Sequence, residues 1–88
     1  MDFLIKDFKL VIEVKMTRIG LGEKEICDQL LVDIARYQNH DDCKTLICFI
    51  YDPEGRISNP VGIETDFNKK SGEDLAIKLL INPWKSYS

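Results

Sequence analysis

Three side chains near the start of the chain, Asp2, Glu13 and Lys15, have the types and spacing to do chemistry. They stand in DFLIKDFKLVIEVK, residues 2–15, where polar and apolar residues alternate as on paired strands. Glu13 and Lys15 lie two apart, so they share a strand face, with the ammonium about 7 Å along the same surface. Two carboxylates within reach of one another would offer a hard divalent cation such as Mg²⁺ two of its oxygen ligands, water and substrate phosphate completing the shell. Such a cation lowers the pKa of a bound water and stabilises charge at a phosphate. The lysine can orient or deprotonate that water, or stabilise the developing negative charge. The chemistry expected is phosphodiester hydrolysis by in-line attack. A solvated strand face carrying Glu and Lys gives the same spacing, although Val11 beside Glu13 makes a wholly exposed face a poor description.

Whether Asp2 reaches Glu13 depends on the turn between two strands, read as residues 2–6 and 9–15 and broken at Asp7-Phe8. With a two-residue loop, or a four-residue loop of the same register, Lys6 faces Lys9 and the numbers of facing residues sum to fifteen. Asp2 then stands opposite Glu13, with Cβ atoms about 5 Å apart. Like charges facing each other are destabilising, so the pair calls for a compensating partner.

The rest of the chain supplies the elements that hold this hairpin. Residues 16–22 form a loop with two glycines. From Glu23 to about Gln38, Ile26, Cys27, Leu30, Leu31, Ile34, Ala35 and Tyr37 recur at the spacing of one helix face, with Glu23, Glu25, Asp28, Asp33 and Arg36 on the other side. Asn39 to Asp42 closes the segment as a polar turn. Residues 44–51, KTLICFIY, read as a central strand covered on both faces, ended by the turn Asp52-Pro53-Glu54-Gly55. Pro60 at a first helical position opens a short helix over residues 60–70, and Leu75 to Ile81 make a last strand. The order is ββαβαβ in one α/β domain spanning residues 1–88.

A chain of 88 residues buries only roughly 60 to 65% of its unfolded surface, so self-association would help it. Its 44% hydrophobic and 31% charged composition is that of a soluble globular domain. No apolar run approaches the ~18 residues of a membrane span. Cys27, Cys43 and Cys48 form no CxxC pair, and His40, Cys43 and Cys48 match no common zinc module and lack a fourth ligand. Unpaired thiols favour a reducing, cytoplasmic setting. A net charge of -3 argues against a strong non-specific grip on nucleic acid, though Lys6, Lys9, Lys15, Arg18 and Lys24 make the first quarter locally basic. Tyr51, Trp84 and Tyr87 offer rings for base stacking, or for covering a core edge or subunit contact. Small-molecule chemistry finds little support. His40 is alone in a polar turn, no nucleophile motif is present, and Gly20-Leu21-Gly22 reads as a helix entry rather than a phosphate loop.

Asp2, followed after ten residues by Glu13-Val14-Lys15, then a helix through Tyr37 and a strand ending at Asp52-Pro53, resembles the PD-(D/E)xK nuclease superfamily. Within it, the stretch from Asp2 to about Ile81 looks like the catalytic domain of the DpnII/MboI-like restriction endonucleases. The resemblance implies a restriction-endonuclease-like core with a mixed four-stranded sheet flanked by helices, here without the usual first helix. It implies Asp2 and Glu13 as metal ligands with the Val14 carbonyl, Lys15 as the catalytic lysine and Gln29 as a positioning residue on the helix. Mg²⁺ is the cofactor implied, with Mn²⁺ as a substitute, and no organic cofactor. DNA is the implied substrate, with a homodimer addressing its two strands and no membrane partner. Met1 stands where the motif has proline. Two readings stay open: a metal-dependent endonuclease, and an inactive remnant of the fold that serves as a binding or oligomerisation module.

Overall fold

The computed structural model describes residues 2–82; Trp84 and Tyr87 lie outside them. Strand β1 (Asp2–Ile5) turns into β2 (Leu10–Met16), and α1 (Glu23–Gln38), β3 (Thr45–Tyr51), α2 (Pro60–Asn68) and β4 (Ala76–Asn82) follow. One four-stranded sheet has the order β1-β2-β3-β4. The first pair is antiparallel and the other two are parallel. This is the mixed α/β sheet expected of a restriction-endonuclease-like core.

The β1–β2 connection is the four-residue alternative. Lys6–Phe8 form a short 3-10 turn, and Lys9 adopts a left-handed conformation (φ 51°) from which its N–H returns to the Lys6 carbonyl at 3.0 Å. The Lys9 carbonyl also accepts from the N–H groups of Lys44 (2.7 Å) and Thr45 (3.1 Å), tying the turn to the start of β3. The register pairs Asp2 with Glu13.

Both parallel crossovers step in the same direction across the sheet, so the right-handed rule puts α1 and α2 on one face. Burial agrees. Val11, Leu46, Cys48, Ile50, Ile77, Leu79 and Ile81 face the helices and form the core with Ile26, Leu30, Ile34, Tyr37 and Phe67. The opposite sheet face is open among the described residues. Val14, Met16, Phe49 and Tyr51 are exposed there. This corrects the reading of β3 as covered on both faces: KTLICFIY is apolar throughout, yet Phe49 is 40% exposed and Tyr51 48%.

The helix α1 has the bounds its periodicity predicts, but not the orientation. Leu31 and Ala35, expected in the core, are exposed, and Asp33, expected in solvent, is buried. At ~100° per residue the buried arc is turned by roughly 60° from the centre of the apolar residues, towards Asp33. A polar residue with partners inside the fold is invisible to a count of apolar positions.

Two loop devices steady the sheet. The buried Asp52 carboxylate accepts from Thr17 Oγ1 (2.6 Å) and from the N–H groups of Arg56 (2.8 Å) and Ile57 (3.0 Å), joining the end of β2 to the turn after β3. Along the outer edge of β4, the N–H groups of Ile77, Leu79 and Ile81 donate to Ser71 Oγ, Asn68 Oδ1 and Glu64 Oε2. Side chains from α2 and the turn after it thereby replace the missing neighbour strand.

Candidate active site

The site lies where β1 and β2 pass beneath α1. Glu13 and Lys15 project from the helix-covered face of β2; Gln29 and Asp33 of α1 meet Lys15, and Arg36 and Tyr37 of the same helix meet Asp2. Gln29, Asp33 and Tyr37 are spaced by four, which aligns them on one side of the helix.

Lys15 is the hub. Its Nζ is 2.8 Å from Glu13 Oε1 and 3.0 Å from Asp33 Oδ2, and it donates to Gln29 Oε1 at 3.2 Å. Glu13 is 3% exposed and Asp33 8%. Glu13 Oε2 is buried and receives no hydrogen bond among the described residues, while the equally buried Asp33 Oδ2 has the Lys15 ammonium 3.0 Å away. Burial, reinforced by a hydrogen bond to Asp33, raises the Glu13 carboxyl to about 7 against the opposing pull of Lys15. Burial also pushes Asp33 upward, but the hydrogen bond from Glu13 and the Lys15 ammonium outweigh it and hold Asp33 below its ordinary value. Desolvation opposes the charge on Lys15, yet the two acids outweigh it and raise its pKa.

Asp2 belongs to the same face but has other partners. Its Oδ2 accepts from Tyr37 Oη at 3.4 Å and lies 3.6 Å from Arg36 Nη2, which also approaches Asp33 Oδ1 at 3.4 Å and donates to Tyr37 Oη at 3.1 Å. The structure therefore brings Glu13, Lys15 and Gln29 into direct contact, and ties Asp2 to them through Arg36, Tyr37 and Asp33. The Val14 side chain turns to the open face, leaving only its backbone to serve the site. Among the described residues, no three His, Cys, Asp or Glu side chains converge closely enough to hold a metal together. The donor set nevertheless fits a hard cation, since it is all carboxylate oxygen and the buried Glu13 Oε2 has no hydrogen-bond donor.

A cavity of about 330 Å³, lined by Lys15, Asp28, Gln29, Val32 and Asp33, opens beside the hub to solvent. Asp33, Arg36 and Tyr37 escaped the reading of the sequence. The signal that could have found them is the four-residue spacing from Gln29 through Asp33 to Tyr37.

Comparison with known proteins gives one finding. A family model described as REase_DpnII-MboI matches residues 1–84. No curated protein and no solved structure matches the chain.

Proposed function

Since the chain belongs to the DpnII-MboI restriction endonuclease family and is a DNA endonuclease-type domain, we propose that it hydrolyses phosphodiester bonds of duplex DNA with a divalent cation. Mg²⁺ is the proposed ion, with Mn²⁺ as a substitute. Asp2, Glu13 and the backbone carbonyl of Val14 would hold it. The observation that carries this reading is the Glu13–Lys15 pair at 2.8 Å, set beneath a helix and beside an open cavity.

When bound, the cation supplies charge neutralisation at the phosphate and a water acidified towards neutral pH. The protein supplies the rest. Glu13 gives a buried carboxylate whose orientation is locked by Lys15. Gln29 keeps the Lys15 ammonium on the cavity wall, where it can meet a phosphate oxygen or steer the attacking water. Arg36 and Tyr37 hold the Asp2 carboxylate against α1 and so anchor the first strand to the helix. Two strands of duplex DNA require two such sites, so the working unit proposed is a homodimer.

A second reading, an inactive fold remnant acting as an assembly module, is favoured by one observation. Lys15 and Arg36 already lie against the three acids, so much of their charge is countered by the chain itself. Calorimetric titration of Mn²⁺ into the protein and into Glu13→Ala separates the two. Binding that the variant loses, with cleavage of plasmid DNA, supports the endonuclease; an absence of binding by the parent chain favours the module.

A further inference from the structure

The two carboxylates that this fold brings into contact are Glu13 and Asp33, and Asp33 has been given no part in the chemistry. Their environment is unusual in two respects. Glu13 is 3% exposed, and its Oε2 is buried without a hydrogen bond among the described residues. A buried carboxylate oxygen in that condition is costly unless a positive charge or a proton lies against it. The second feature is that one cation already bridges the pair. Lys15 Nζ stands 2.8 Å from Glu13 Oε1 and 3.0 Å from Asp33 Oδ2, so a single ammonium serves two acids.

The surroundings are suited to an exchange of that ammonium for an ion. Gln29 Oε1, 3.2 Å from Lys15 Nζ, is an acceptor that depends on neither carboxylate. It gives Lys15 an anchor when Glu13 and Asp33 turn to another partner. Gln29, Asp33 and Lys15 all line the 330 Å³ cavity, which provides an entry path from solvent. Asp2, by contrast, is engaged by Arg36 and Tyr37.

Resting on the cation-dependent reading above, we propose that Asp33 is itself a cation ligand, joining Glu13 in the shell of the divalent ion, Mg²⁺ or Mn²⁺, of that reading. The helix α1 is then part of the metal centre, and the ion clamps it to β2. Lys15 moves to Gln29, which leaves the ammonium beside the cavity and facing substrate.

The test uses Mn²⁺ calorimetry on the full chain, on Glu13→Gln and on Asp33→Asn, with thermal melting to verify that each variant folds. Asp33→Asn is expected to weaken Mn²⁺ binding at least tenfold, as Glu13→Gln does. In parallel, Mg²⁺ is titrated into ¹³C-labelled parent chain while the side-chain carboxyl signals are followed. The Asp33 signal, assigned through bonds from its own backbone in the parent chain, is expected to shift together with that of Glu13. This second measurement decides the matter if the variant does not fold. A Glu13 signal that moves while the Asp33 signal stays still overturns the role of Asp33 and leaves the endonuclease reading standing. Absence of any Mn²⁺ heat or Mg²⁺ shift in the parent chain overturns both.

Discussion

At the scale of single residues, the site is governed by how two acids and one base share a buried space. Glu13, with a pKa raised from 4.5 to about 7, binds a proton in the folded protein across a window where the unfolded chain has released it. Stability therefore falls as pH rises through that window, because the native state then gives up a proton it holds more tightly than the unfolded state does. The depressed Asp33 has the opposite sign. Its contribution is present above its ordinary value and is lost only as pH falls through the lower folded value, so it does not mask Glu13. Melting of the cation-free protein is expected to shift to lower temperature as pH rises from about 4.5 to about 7. The slope should vanish over that range in Glu13→Gln; an unchanged slope would show that another group titrates. Lys15→Met leaves two buried acids without their shared counter-charge. It should cost about 3 kcal/mol in urea unfolding, with added Mn²⁺ restoring part of it, and should abolish DNA cleavage.

At the scale of elements, α1 is the part that brings the site together. Its buried stripe of Ile26, Leu30, Ile34 and Tyr37 sets how far the helix sits above β2, and hence whether Asp33 and Gln29 meet Lys15. Leu30→Ala should cost about 3 kcal/mol through lost burial and the cavity left behind. It should also weaken Mn²⁺ binding although Leu30 touches no ligand. The helix α2 has a more local control: the Asn59 side chain accepts from the Gly62 N–H at 3.1 Å, and Pro60 occupies the first turn. Asn59→Ala should lower stability by about 1 kcal/mol in the same unfolding assay while leaving cation binding unchanged, since α2 contributes nothing to the site. The start of α2 was legible in the sequence at Pro60. The use of Ser71, Asn68 and Glu64 to cover the edge of β4 was not, because it joins residues that only the crossover brings side by side.

At the scale of the whole molecule, one sheet face carries both helices and the other presents apolar side chains to solvent. Phe3, Val14, Met16, Phe49 and Tyr51 are each between 39% and 51% exposed. The outer edge of β4 is occupied by side-chain acceptors, which leaves the open face, not that edge, as the surface for the proposed homodimer. Sedimentation should show a concentration-dependent dimer. Phe49→Glu, near the middle of that face, should shift it to monomer while the melting transition survives. A parent chain that sediments as a monomer at all concentrations would remove the dimer from the proposal.

The order of elements and the bounds of α1 were determined by the sequence itself, because each follows from local periodicity; the Asp2–Glu13 register was legible only on condition of the loop length that the structure shows. Glu13 and Lys15 on one face needed only the two-residue repeat of a strand. The tertiary structure decided which way α1 is turned, and so made a buried partner of Asp33 instead of a solvated charge. It also assigned Asp2 to Arg36 and Tyr37, and left one side of β3 uncovered. Those outcomes depend on contacts between residues far apart in the chain. A polar side chain is scored as exposed by any local pattern until the fold supplies the charge that allows it to be buried.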